Sequence, residues 1–144
     1  MRSTGSLLAA IVAVGALLAP VANAQSGTYL KVDVPFEFAV SGKTLPAGVY
    51  TVRDASHIVG FGVLQPASPG GQAVHFRHWS VAPKDGRYAT RTQVVFNRYG
   101  NQYFLTQVWQ AGHASGKQLP KSKLERETEK VAAVRETVIL VAQR

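Results

Sequence analysis

The chain has 144 residues, with 16 Lys or Arg against 8 Asp or Glu, a formal net charge of +8 and no cysteine. The absence of cysteine excludes thiol catalysis, a disulfide framework and any thiolate metal site. The positive charge favours anionic partners such as surface polysaccharide, phospholipid headgroups or nucleic acid. The basic residues are scattered and no nucleic-acid-binding motif is present, so we do not expect nucleic acid as the partner.

Residues 1–24 have the organisation of a secretory signal peptide. Arg2 supplies the positive region, the apolar segment LLAAIVAVGALLAPVA follows, and Ala22-Asn23-Ala24 matches the small-x-small cleavage pattern. The apolar segment is shorter than the roughly 20 residues of a spanning helix. We therefore expect export to the periplasm or the exterior, no integral membrane span in the mature chain, and a single β-rich domain over residues 25–144.

The first predicted strand covers residues 29–41, where apolar and polar residues alternate as in a strand with one wet face. Pro35 cannot donate to a sheet ladder, which predicts an edge strand, a bulge, or two strands in place of one. Further strands are predicted at 49–53, 57–65, 72–81, 88–99 and 102–110.

The segment LPAG, residues 45–48, has the composition of a turn between two strands. Pro46 fixes φ at the first central position, and Gly48 relieves the steric limit where the chain reverses. Gly100-Asn101 is a second turn, with the residue types of a two-residue hairpin. Its register sets Arg98 opposite Tyr103 and gives one core face, on which we place Val94, Phe96, Leu105 and Trp109.

The C-terminal part is charged and predicts one short helix. Ser122 and Glu125 stand three residues apart as a capping box ahead of an amphipathic segment. Residues 137–142, TVILVA, are apolar on both faces and predict a strand buried in the sheet. The fold class is therefore mainly β, an antiparallel sandwich or flattened small barrel with one short helix in the C-terminal half.

Three segments of the sequence, PFEFAVSGKTLPAGVYTV, VVFNRYGNQYFLTQVW and LPKSKLERE, resemble a group of small, uncharacterised exported proteins of acidobacterial genomes. The resemblance implies an exported β-domain but no catalytic residues, because none are known for the group. The Pro-Ala-Gly-x-Tyr turn is also similar to turns of immunoglobulin-like and transthyretin-like sandwiches, which bears on fold alone.

No residue pattern indicates catalysis or a metal site. His75 and His78 are expected on opposite faces of one strand, so they cannot easily share an ion. Asp54, Ser56 and His57 lie in one turn, where a nucleophile, a base and an orienting group cannot normally assemble. We predict neither enzyme activity nor a cofactor.

The strongest candidate for a binding surface is the set His75, Arg77 and Trp79, which alternate along one predicted strand. A cation beside an exposed tryptophan can hold an anionic group or stack on a sugar ring. The competing interpretation, favoured by the usual burial of Trp, is a second packed face.

Two functions follow from this sequence. The first is a non-catalytic envelope or extracellular module, binding anionic envelope polysaccharide or associating with itself through sheet edges. The alternative is a carrier that holds a small apolar ligand between the sheets or in the mouth of a barrel, with Gly60 and Gly62 making room for it. A large cavity would support the carrier and a filled core the module; the residues expected to line that cavity are Phe36, Phe38, Phe61 and Phe96.

Overall fold

The computed structural model describes residues 30–55 and 58–142, so the predicted signal peptide at 1–24 lies outside the described part. The described residues form eleven strands and one α-helix. In chain order these are β1 Leu30–Val34, β2 Phe38–Val40, β3 Lys43–Leu45, β4 Gly48–Asp54, β5 Phe61–Pro66, β6 Val74–Arg77, β7 Trp79–Val81, β8 Gln93–Tyr99, β9 Gln102–Trp109, β10 Gly116–Gln118, α1 Lys123–Val131 and β11 Glu136–Val141.

The strands form two sheets in a sandwich-like arrangement, which confirms the predicted mainly β fold class with one short helix. The four-stranded sheet has the order β1-β4-β5-β6. The seven-stranded sheet has the order β11-β8-β9-β10-β7, with β2 and β3 beside the first half of β9. The pairing of β2 with β9, through Ala39 and Phe104, is parallel, whereas the other pairings of the described strands are antiparallel.

Aromatic rings pack against one another between the sheets. The ring of Phe38 makes edge-on contacts with Tyr50 and Phe96, at centroid distances of 5.1 and 5.5 Å. A Cβ atom at Gly62 would lie 2.3 Å from Cζ of Phe76, which is the cross-strand partner of Gly62. Gly62 therefore makes room for the Phe76 ring and not for a ligand.

The segment predicted as the first strand forms two strands, which is one of the arrangements expected from Pro35. β1 is an edge strand of the four-stranded sheet, and β2 belongs to the seven-stranded sheet. Pro35 lies between them, where its missing N–H costs neither sheet a hydrogen bond.

The LPAG segment connects the two sheets and does not close a hairpin. Pro46 and Ala47 lead from β3 in one sheet to β4 in the other, and Gly48 is already the first residue of β4. The tight turn predicted at Gly48 lies earlier in the chain, at Ser41 and Gly42. Their φ values of 50° and 79° suit a two-residue hairpin between β2 and β3.

Tyr50 fixes this connection from inside the sandwich. Its hydroxyl donates a hydrogen bond to the carbonyl oxygen of Pro46 at 2.5 Å, and its ring is almost wholly buried. This resembles the tyrosine corner of other sandwiches, in which a hydroxyl bonds to the backbone a few residues upstream. Burial raises the pKa of Tyr50 above its ordinary value, so the hydroxyl stays protonated as a donor.

The hairpin at Gly100-Asn101 has the predicted register near its tip, with Arg98 opposite Tyr103. The register shifts between Val95 and Phe96, because Thr106 is an extra residue on β9. The prediction that Trp109 shares the core face with Val94, Phe96 and Leu105 is therefore wrong. Trp109 pairs with Gln93 and lies on the outer face, where its ring covers Gly116.

Helix α1 begins as predicted, but only half of the capping box is present. Ser122 is the N-cap, and its Oγ accepts a hydrogen bond from the backbone N–H of Glu125 at 3.1 Å. The Glu125 carboxylate points into the interface beneath the helix. It accepts hydrogen bonds there from Asn97 Nδ2 at 2.8 Å and from the Tyr99 hydroxyl at 3.4 Å.

The prediction that residues 137–142 form a strand buried within the sheet is also wrong. β11 is an edge strand paired only with β8 among the described strands. Its inner residues Val138 and Leu140 pack against the core, whereas Ile139 and Val141 are 53% and 52% exposed.

We predict that Tyr50→Phe lowers the free energy of unfolding by about 1 kcal/mol, the usual net contribution of a hydrogen bond. Urea unfolding measures the change. Tyr103→Phe is the matched control, because its hydroxyl makes no hydrogen bond within residues 30–55 and 58–142 and its ring stacks on Phe36. Equal effects of the two substitutions would contradict a structural role for the Tyr50–Pro46 bond.

Candidate functional site

The structure separates the three residues predicted to form one binding face. His75 and Arg77 lie on β6 and point outward from the four-stranded sheet, opposite in phase to the buried Val74 and Phe76. The chain leaves this sheet at His78, and Trp79 begins β7 in the seven-stranded sheet. The prediction that His75, Arg77 and Trp79 share one face is therefore wrong. The chain passes from one sheet to the other at the single residue His78, and the alternation of the sequence continues through this passage.

His75 and Arg77 belong instead to a basic face on the outer side of the four-stranded sheet. The strand register sets Arg53 beside Val63 and Val63 beside His75 in one row. Arg77 stands in the next row, with its guanidinium 5.9 Å from the ring centroid of Phe61. Lys31 is on the same side of β1, opposite Thr51. We call Lys31, Arg53, His75 and Arg77 the basic face.

No acidic side chain neutralises the basic face. All eight Asp and Glu residues of the sequence lie in the described ranges, and none is within salt-bridge distance of Lys31, Arg53 or Arg77 there. Asp33 shares the outer side of β1 but pairs with Val49, towards the end of the sheet away from Arg77. The basic face therefore presents an unpaired positive potential to solvent.

Trp79 lies on a different surface, formed by amide and aromatic side chains on the outer side of the seven-stranded sheet. It pairs with Gln118, which in turn pairs with Gln107. Gln107 Nε2 donates to Gln118 Oε1 at 2.7 Å, and Trp109 Nε1 donates to Gln107 Oε1 at 2.9 Å. These bonds occupy the two amides, while the Trp79 ring stays 53% exposed at the edge of the sheet.

A polar cluster closes one end of the sandwich where the chain changes sheets. Asp54 Oδ1 lies 2.8 Å from Lys117 Nζ and 3.6 Å from His78 Nε2. Burial lowers the pKa of His78, the Lys117 charge lowers it further, and Asp54 opposes both. A cavity of about 170 Å³ beside the cluster is also lined by Ser80 and His113.

Among residues 30–55 and 58–142, this cluster lacks a hydrogen-bonded pair of nucleophile and base. Lys117 Nζ engages the Asp54 carboxylate, and neither ring nitrogen of His78 has a hydrogen-bond partner among the described residues, so no hydroxyl group is positioned there for activation. Within residues 30–55 and 58–142, no three His, Asp or Glu side chains are grouped as a metal site would require. Ser56 and His57, the other members of the hydrolase hypothesis, lie outside the described residues.

The sequence alone did not identify Lys117 as a member of the polar cluster, and it did not identify the basic face as one surface. Lys117 is 63 positions from Asp54 in the numbering, and only the pairing of β10 with β7 and β9 turns it inward. Arg53 and His75 lie in one row because β4 and β6 both pair with β5. The alternation of each strand was visible in the sequence, but the order of the strands was not.

Comparison with known proteins gives no match to a family model, a curated protein or a solved structure. In the part of the chain that the structure describes, no helix has the length and apolar character to cross a membrane.

We predict that acid destabilises the fold through His78. Its folded pKa lies below the ordinary 6.5, so the folded state binds fewer protons than the unfolded state in this range. Its contribution to stability is present above pH 6.5 and is lost as the pH falls towards the folded pKa. The thermal midpoint should therefore decline below pH 6.5, and His78→Gln should reduce that decline. A decline in His78→Gln equal to that of the wild type would contradict the assignment.

Proposed function

We propose that this chain is an exported, non-catalytic module of the bacterial envelope or exterior that binds anionic surface polysaccharide through its basic face. The observation that carries the proposal is the clustering of Lys31, Arg53 and Arg77, with His75, on one sheet surface without an acidic partner. Export is supported by the signal-peptide pattern of residues 1–24 and by the resemblance to small exported acidobacterial proteins.

The chemistry of the basic face suits a repeating polyanion. Strands in a sheet lie about 4.8 Å apart, so cations on neighbouring strands form an array and not a deep pocket. Such an array meets successive carboxylate or sulfate groups with long-range, weakly specific attraction. Arg53 and Arg77 can each bond a carboxylate with two parallel N–H donors, which adds short-range affinity.

The alternative function, an apolar-ligand carrier, has less support, because the phenylalanines expected to line its cavity make other contacts. Phe36 and Phe38 pack edge-on against Phe96 at centroid distances of 5.2 and 5.5 Å. Phe61 points outward under Arg77, and the space at Gly62 is taken by Phe76. These contacts favour a module that binds at its surface.

The test is retention of the purified protein on a polyuronate matrix, with a neutral glucan matrix as the reference. We expect retention on the polyuronate at low salt and release by 1 M salt, where the Debye length falls to about 3 Å. The double variant Arg53→Gln, Arg77→Gln should weaken binding by on the order of tenfold, since both lost charges face the polymer.

The matched control is Lys84→Gln with Arg87→Gln, which removes the same charge from an exposed turn on another part of the chain. This control and Trp79→Ala should retain most of the binding. Equal weakening by the two double variants would show that only net charge matters and would end the assignment to the basic face. Absence of retention at any salt would end the polysaccharide proposal.

A further inference from the structure

Among the described strands β11 pairs with β8 alone, so its other edge is an unpaired row of backbone groups there. The N–H of Ala142 donates to the carbonyl of Thr92 at 2.9 Å, on the side of β8. In an antiparallel ladder, alternate residues point their N–H and C=O groups to opposite sides. Val138 and Leu140 therefore bond towards β8, while Thr137, Ile139 and Val141 present their backbone groups to the open side.

This edge lacks the features that keep sheet edges apart. Proteins protect exposed edges with charged residues, proline, bulges or short strands. β1 carries Lys31 and Asp33, and β6 carries His75 and Arg77, whereas β7 has only three residues. Residues 137–142 have neither charge nor proline, and the Ile139 and Val141 side chains are half exposed.

We propose that β11 pairs antiparallel with β11 of a second copy of this chain, with Ile139 on the two-fold axis. In this register Ile139 faces Ile139 of the second copy, and Thr137 faces Val141 of the second copy. Each of these pairs can exchange two backbone hydrogen bonds, because all three residues direct both groups outward. The same residues place β-branched side chains side by side on the outer face.

Charge and symmetry both support a second copy as the occupant. No charged side chain lies within the paired segment 137–141, and Glu136 at its end is bonded to Arg98 of its own chain at 3.3 Å. The pairing is self-complementary, since the same residues serve on both sides of the axis. It therefore closes as a dimer and leaves β11 with no further free edge.

The dimer would also orient the two basic faces. A two-fold axis between antiparallel strands stands perpendicular to the sheet, so both four-stranded sheets lie on the same side of the joined sheet. Two basic faces would then point the same way and could engage one polymer with a gain in avidity. This last consequence rests on the proposed function, whereas the dimer does not.

The experiment is sedimentation equilibrium of the purified protein without polymer, up to about 1 mM, where even a millimolar Kd populates the dimer. We expect a reversible monomer–dimer equilibrium. Ile139→Lys should raise the Kd at least about tenfold, because like charges would face each other at the axis. Ile139→Pro should do the same without a charge, and its missing N–H breaks no bond to β8. Val59→Lys, at a fully exposed loop position, is the control for added charge.

Amide hydrogen exchange gives a second measurement on the same samples. Protection of the Thr137, Ile139 and Val141 amides should rise with protein concentration in the wild type and stay low in Ile139→Lys. A wild type that stays monomeric at the highest concentration would overturn the proposal. A dimer that both Ile139 variants leave intact would also overturn it, by placing the interface elsewhere. Neither result bears on polymer binding by the monomer.

Discussion

The ring of Phe76 against the backbone of Gly62 is the contact on which the functional account depends. A Cβ at Gly62 would be 2.3 Å from Cζ of that ring. The ring can therefore pack there only because residue 62 has no side chain. Together with Phe38, Tyr50 and Phe96, each almost wholly buried, the ring packs in the interior between the sheets. A sandwich filled in this way can interact with partners through its faces, edges and ends, which is where the chemically distinctive residues lie.

The passages of the chain between the sheets decide which residues share each surface. Pro35, the pair Pro46-Ala47 and His78 stand at these passages. At His78 the backbone N–H donates to the carbonyl of Gly60 at 2.8 Å, while the side chain turns into the polar cluster. As a result Arg77 and Trp79, only two residues apart, lie on surfaces of opposite character: one basic, the other formed by amide and aromatic groups.

Local chemistry made part of this structure predictable. Alternation located most strands, Gly100-Asn101 specified its hairpin, and Ser122 marked the start of the helix, because each depends on neighbouring residues. The bulge at Thr106, the edge position of β11 and the inward turn of Lys117 depend on pairing between distant segments. For the same reason the sequence indicated His75 and Arg77 as surface residues but could not place Arg53 beside them. It grouped them with Trp79, since an alternation of period two continues unchanged through a passage between sheets.

The most direct test of a filled interior is uptake of xenon, followed by the NMR shifts of core methyl groups. We expect no saturable shift at Val52, Leu64 or Val74 in the wild type. Phe76→Ala, which vacates the ring beside Gly62, should show saturable uptake and serves as the positive control, because apolar cavities of such a size bind xenon. Saturable shifts of the same methyl groups in the wild type would contradict the account and restore the ligand carrier.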